Sequence, residues 1–214
     1  MSPKPKPVGM NPYVLRKLKE WRHSPLLFVT ECIGATPSTQ QAKALASFGK
    51  SKRTSIRSGH GTGKDAFASW IIFWFMVTRP FAKVACTAPT ARQLNTVLWS
   101  ELSKWQRKSS ILQDEFVIQK DKLFHKHSKE EWWCRAISPA VKASKEEQAE
   151  TLAGLHGDHL LIVVDEASGV PDPIFVPLEG AMTQEDNRVL LIGNPTKNTR
   201  YLHETQSDPQ IIKT

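Results

Sequence analysis

Between Ser58 and Asp65 the chain reads S-G-H-G-T-G-K-D, so that Gly59, Gly61 and Gly63 alternate with Ser58, His60 and Thr62. A backbone this free of side-chain restraint can turn successive N–H groups inward around an anion. A helix opening at Gly63 or Lys64 would add the positive end of its dipole at the same place. The residues before the loop, Arg53–Arg57 (RTSIR), read as a short strand, and those after it as a helix, which is the context that phosphate cradling needs. Lys64 would then reach the β- and γ-phosphates of a nucleotide. Two positions depart from the GxxxxGK[ST] pattern: Ser58 replaces the first glycine, and Asp65 replaces the hydroxyl residue that ligates Mg2+. The second departure matters more. A carboxylate is a good hard ligand for Mg2+, which keeps Asp65 a candidate metal residue. It also sets a negative charge beside an anionic polyphosphate, at a cost of roughly 4 kcal/mol for charges about 4 Å apart at an effective dielectric near 20.

Asp165 and Glu166 follow the apolar run Leu160–Val164 (LLIVV). An uninterrupted run of this kind marks a central parallel strand covered on both faces. Ligands of parallel sheets bind beyond the carboxyl ends of the strands, and two adjacent acids there can divide the work. Asp165 can hold Mg2+ through its water shell, while Glu166 accepts a proton from, or orients, the water that attacks the γ-phosphate. Another strand, Arg188–Gly193 (RVLLIG), runs into Asn194-Pro195-Thr196. Asn194 is the candidate sensor of the γ-phosphate, with a plain Gly-Asn-Pro turn as the alternative. Upstream of the loop, Gln41 can pair with the N6 and N7 edge of adenine, one donor to one acceptor, and its neighbour Gln40 can do the same.

These residues need strands and helices to hold them. Residues 13–22 form a short basic helix in the sequence pattern, and residues 38–49 a helix capped by Ser or Thr and ended by Gly49. The loop helix runs from about Gly63 to Val77 and stops before Pro80. A second strand is expected at Ala82–Thr87 and a helix from Thr90 to about Lys108, where Leu94, Val97, Leu98, Leu102 and Trp105 fall at helical spacing. Two or three strands occupy 116–137. A polar connection with a helix around 145–153 is expected over 138–159, and a helix near 172–182. Strands alternating with helices imply an α/β fold with a mostly parallel central sheet and flanking helices.

Composition narrows the partners. The formal charge is +8 and the pI about 9.5, which favours a polyanionic partner such as nucleic acid. The three cysteines, Cys32, Cys86 and Cys134, form no CxxC and suit buried thiols in a reducing compartment without a zinc site. His125 and His127 make an H-x-H pair that reads as a simple hairpin, because no matching Cys or His cluster elsewhere completes a metal site. The apolar run Phe67–Val77 is too short to span a bilayer, and the opening residues carry no signal-peptide core.

Together these pieces resemble the ATPase domain of tailed-phage and prophage large terminases. The resemblance covers roughly residues 20–205. It is carried by W-x-x-S-P-x-x-F-V (Trp21–Val29), P-S-T-Q-Q (Pro37–Gln41), the glycine loop, T-A-P-T-A-R-Q (Thr87–Gln93), G-L-H-G-D-H (Gly154–His159), I-V-V-D-E-A-S-G-V (Ile162–Val170) and L-L-I-G-N-P-T (Leu190–Thr196). It implies a P-loop NTPase of RecA-like type with an extra strand, a catalytic glutamate matched by Glu166, an adenine-reading glutamine matched by Gln41, and a coupling motif at Gly193-Asn194-Pro195. ATP and Mg2+ follow as cofactors. Double-stranded DNA, a portal protein, a small terminase subunit and further copies in a ring follow as partners, in the host cytoplasm and without a membrane. An arginine is implied for the transition state, with Arg57 as the candidate in cis and Arg92 and Arg200 behind it. The expected division is a basic N-terminal segment over 1–36 and an ATPase domain over 37–214. The C-terminal nuclease domain of such proteins has no room here, so DNA cleavage is not expected. Two other functions share the same residues: a helicase-like, DNA-dependent ATPase and a non-hydrolysing DNA-binding or assembly module.

Overall fold

The computed structural model describes residues 12–57, 59, 61–137, 155–170, 172–175, 178–182, 184–194 and 212–213. Helices α1 (Pro12–His23) and α2 (Pro25–Phe28), the latter running on into a π-helical turn (Val29–Ile33), lead to α3 (Thr39–Lys50). Ser38 caps α3 in a full capping box: its hydroxyl accepts from the Gln41 N–H, and the Gln41 side chain accepts from the Ser38 N–H. β1 (Arg53–Arg57) then passes through the glycine loop into α4 (Lys64–Thr78), followed by β2 (Lys83–Thr87). Beyond β2, α5 (Ala91–Gln93) continues through a π-helical turn (Leu94–Leu98) into α6 (Trp99–Gln106), and α7 (Ser110–Glu115) follows. Three short strands come next: β3 (Phe116–Ile118), β4 (Lys122–His125) and β5 (Trp133–Ala136). The chain closes with β6 (Leu160–Val164), a short helix α8 (Leu178–Ala181), β7 (Arg188–Gly193) and β8 (Ile212–Lys213).

The sheet order is β3-β4-β5-β2-β6-β7-β1-β8. Strands β5, β2, β6, β7, β1 and β8 are parallel, and β3–β4–β5 extend the sheet as an antiparallel edge. β7 lies between β1 and β6, which is the extra strand expected from the resemblance. Every residue of β6 is buried, as an uninterrupted LLIVV run requires when both sheet faces are covered. Leu161 and Val163 face α4 in one cluster, while Leu160, Ile162 and Val164 face Val170, Phe175 and Ala181 in the other.

α4 is apolar nearly all round because it is enclosed nearly all round. The sheet lies beneath it, and α1 and α6 lie against its outer side. Trp74 Nε1 donates to the Trp21 carbonyl at 2.6 Å, and Trp70 meets Trp105 edge to face at 5.2 Å between ring centres. At the end of α4, buried Arg79 donates from Nε to Asp186 Oδ2 at 2.8 Å and from Nη2 to Oδ1 at 3.1 Å. Arg22 of α1 reaches the same carboxylate at 2.9 Å and His159, just before β6, at 3.0 Å. Asp186 thereby ties four segments together at the amino end of the sheet.

Some expectations need correction. The single helix expected near 172–182 is a 3-10 turn (Asp172–Phe175) followed by the four-residue α8. Pro173, the second residue of the turn, removes a backbone donor there, and residues 176 and 177 lie outside the described residues. The helix after Thr90 is interrupted by its π turn, and β8, which pairs with β1, was not anticipated. The helix expected around 145–153 lies outside the described residues. All three cysteines are buried thiols, yet Cys86 and Cys134, distant in sequence, approach to 3.5 Å across β2 and β5. His125 stacks on Trp132 at 4.3 Å and sits 3.0 Å from Glu115.

Candidate nucleotide-binding site

The glycine loop turns where β1 ends. Gly61 and Gly63 have φ of +75° and +77°, a left-handed backbone that side-chain-bearing residues rarely adopt. At Gly63 space adds a second constraint, because a Cβ there would stand 2.7 Å from Gln41 Nε2. Gln41 Nε2 donates to the Gly63 carbonyl at 3.3 Å, while its Oε1 accepts from the Ser38 N–H at 2.9 Å. The residue expected to read adenine is thus engaged at both ends of its amide, tying the head of α3 to the loop. Thr62 Oγ1 donates to the Gly59 carbonyl at 3.0 Å within the loop. Ser58 and His60 lie outside the described residues.

A cavity of about 850 Å³ opens beside the loop, lined among others by Gln40, Gln41, Arg57, Thr62 and Lys64. α3 contributes Ala44 and Ser47 to its lining, and Phe67 and Ile192 line it as well. That combination of apolar and polar lining groups suits a nucleotide. Arg57 is exposed at the end of β1 and faces this space. Asn194 follows β7 one residue beyond the Arg57–Gly193 pairing, half-buried at the same carboxyl edge. Arg92 is exposed on α5, and Arg200 lies outside the described residues.

The acidic pair meets the loop across the sheet. Lys64 forms an ion pair with Glu166 Oε1, its side chain 10% exposed against 23% for Glu166. Glu166 is held at φ +48°, a left-handed conformation unusual outside glycine, which re-aims its side chain directly after β6. Asp165 is 3% exposed. Its N–H donates to the Thr87 carbonyl at 2.8 Å, and its Oδ1 accepts from the Glu166 N–H at 2.9 Å. Burial, with the charge of Asp65 next in size, pushes the Asp165 carboxyl up to about 6. Asp65 is itself raised, first by burial and against the pull of Lys64. Its Oδ1 is buried with no hydrogen-bond partner. The coupling of Asp65 to Asp165, a hundred residues apart, carries no sequence signal. The Gln41 tie to Gly63 was equally hidden, although a Gln three residues after Ser38 signals the capping box.

These oxygens fit a hard cation. A buried carboxylate oxygen without a partner lies in the electrostatic range of a second, buried carboxylate, and both are ligands that Mg2+ accepts. No group of three or more His, Cys, Asp or Glu side chains among the described residues is arranged to hold a metal alone. That suits an ion completed by phosphate oxygens and water. Among the described residues no helix is long and apolar enough to cross a membrane.

A glycine loop leading from a parallel strand into a buried helix, with an acidic pair ending a strand two places away, defines a P-loop NTPase fold of RecA-like type. No protein-family model matches the chain. Over 177 residues the chain is 34% identical to a probable terminase large subunit of Enterobacteria phage P7, a match covering 80% of the chain and 35% of that protein. The chain therefore spans about a third of the length of the curated relative it matches. Among solved structures, the large terminase ATPase domain of Thermus phage P74-26 superposes with a TM-score of 0.65 at 19% identity, covering 86% of this chain and 82% of that one. The large terminase of bacteriophage HK97 gives 0.67 at 16% identity, over 90% and 43% of the two chains. The large terminase of a thermophilic bacteriophage, in complex with ADP, gives 0.61 at 10% identity over 89% and 44%. Sequence and fold together place this chain with the phage large terminases, as a domain of their ATPase type.

Proposed function

We propose that the chain hydrolyses ATP and, as the motor of a phage large terminase, drives double-stranded DNA into a procapsid. The observation that carries this reading is the meeting of Lys64, Glu166 and the buried Asp165 at the carboxyl edge of the sheet, beside a nucleotide-sized cavity. Without nucleotide, Lys64 and Glu166 neutralise each other. The β- and γ-phosphates recruit the Lys64 ammonium, which leaves the Glu166 carboxylate to orient water and take its proton. Asp165, with Asp65, would hold Mg2+. When bound, the ion neutralises charge on the phosphate oxygens. Arg57 supplies positive charge at the cavity mouth in cis, and Asn194 senses the γ-phosphate. Gln41 reads adenine if its bond to the Ser38 N–H yields, and Gln40 lines the same cavity.

The likeness to large terminases supports the wider setting: a ring of copies on a portal protein, a small terminase subunit that helps choose the DNA, and the host cytoplasm. The domain boundary is proposed near residue 37, with the ATPase unit beyond it. Steady-state phosphate release tests the core of the reading. The chain should turn over ATP with Mg2+, double-stranded DNA or a portal should stimulate it, and Lys64→Ala should abolish it. Near-normal turnover in that variant would sink the assignment.

A further inference from the structure

At the far end of the sheet from the nucleotide cavity, β4 and β5 carry an arrangement of charge that folding does not favour. Their register sets Lys122 against Arg135 and Phe124 against Trp133. These four side chains therefore share one face of the hairpin. Leu123 and Cys134 alternate with them and point into the core beneath α4 and α6. Like charges directly opposite one another on paired strands destabilise the pair. Here burial compounds the cost at Lys122, while the Arg135 side chain is 41% exposed. The Lys122 side chain is 13% exposed, and its ammonium is shifted down by burial first and by Arg135 second. Arg135 Nε is buried with no hydrogen-bond partner. Glu130 stands 3.8 Å from Lys122 and 3.6 Å from Arg135, but it is 75% exposed, and an ion pair so hydrated offsets little.

More cations gather on the same side. Lys129, exposed, lies 5.3 Å over the Phe124 ring, with Lys122 at 5.6 Å, and Arg135 lies 4.4 Å over Trp133. Lys83 of β2 pairs in register with Trp133 on the next strand, its ammonium donating to the His156 carbonyl at 3.2 Å. Local conflict of this kind, left in place by the fold, marks a surface kept for a ligand. The complementary ligand is a row of anions. Phe124 and Trp133 are each only 7% exposed and lie beneath the cations, so they offer no open ring for a base to stack on. A phosphate backbone fits, and splayed bases do not.

We propose that this β4–β5 face docks the phosphate backbone of duplex nucleic acid without regard to sequence. The inference rests on the motor reading above, which requires a surface that follows DNA, but its test is separate. Lys64 follows β1, four strand spacings or about 19 Å from β5, and Asp165 and Glu166 end β6, two spacings or about 10 Å away. Lys122 and Arg135 pair with Glu130 and with none of these groups, so the face can be altered without replacing them.

The test is the double variant Lys122→Gln/Arg135→Gln in the 214-residue chain. A labelled short duplex is titrated from about 50 to about 200 mM salt, while binding of a fluorescent ATP analogue and thermal melting are followed in parallel. The slope of log affinity against log salt should become shallower by about 1.8, for two lost phosphate contacts at about 0.9 each, and low-salt affinity should fall by about tenfold. Binding of the ATP analogue should stay unchanged, and melting should stay equal or rise because the like-charge pair is gone. An unchanged duplex affinity and slope overturns the proposal. So does a wild-type chain that fails to bind duplex at low salt, or that binds acidic phospholipid vesicles in its place. Should the double variant fail to fold, exposed Lys129→Gln replaces it, with an expected slope change of about 0.9. Failure of ATP turnover would defeat the motor reading alone, since the duplex titration does not depend on hydrolysis.

Discussion

Replacing Asp65 by threonine restores a neutral oxygen where the loop now carries a charge. Asp65 is half-buried directly after Lys64, its Oδ1 has no hydrogen-bond partner, and its charge helps to raise Asp165. Asp165 stands at about 6 against an ordinary 3.8. Burial is the larger cause, so relieving the charge of Asp65 lowers it only in part. The same charge also repels the incoming polyphosphate, by up to roughly 4 kcal/mol at about 4 Å before Lys64 and the metal offset it. Asp65→Thr should therefore tighten Mg-ATP binding by about fivefold or more. The assay is a nucleotide titration of both proteins at fixed Mg2+ and neutral pH, with Asp65→Asn as a variant that removes charge and keeps shape. Equal or weaker affinity in the threonine variant would refute the reasoning. The metal would then offset the Asp65 charge in full, making the carboxylate a better ligand than a neutral hydroxyl, or Asp65 would face away from the site.

Three further outcomes follow from the same geometry. Glu166→Gln should keep ATP binding, because Lys64 is released rather than lost, while hydrolysis slows by about 10²-fold or more; binding that collapses with hydrolysis would make Glu166 structural. Protonation of Asp165 should move two readouts in opposite directions as pH falls through about 6. Its folded carboxyl is raised, so the nucleotide-free fold gains stability as the charge is lost, whereas Mg-nucleotide affinity weakens; parallel melting and titration series check this, and a flat affinity would remove Asp165 from the metal site. Asp186→Ala should destabilise the fold by about 3–5 kcal/mol in chemical denaturation, because it strands the buried Arg79 guanidinium. The Asp186 carboxyl is held low by His159 and Arg79 against the opposing effect of burial, so its contribution is complete above the unfolded carboxylate range and disappears only in strong acid.

Much of this was legible in the residue string because the signals are local. Arg53–Arg57, Leu160–Val164 and Arg188–Gly193 are strands as read, since apolar runs and flanking turns act over a few residues. The loop's glycines, the Ser38 cap and the burial of α4 are local in the same way. Tertiary structure decided what depends on distance along the chain. It placed β7 between β1 and β6, brought Asp65 into the field of Asp165, joined Lys64 to Glu166 and locked Gln41 onto Gly63. It also set Lys122 opposite Arg135 and closed three segments onto Asp186. Pairing register and the convergence of charge come from how elements pack. No propensity or period in a short window encodes them, because their energy exists only once the sheet has formed.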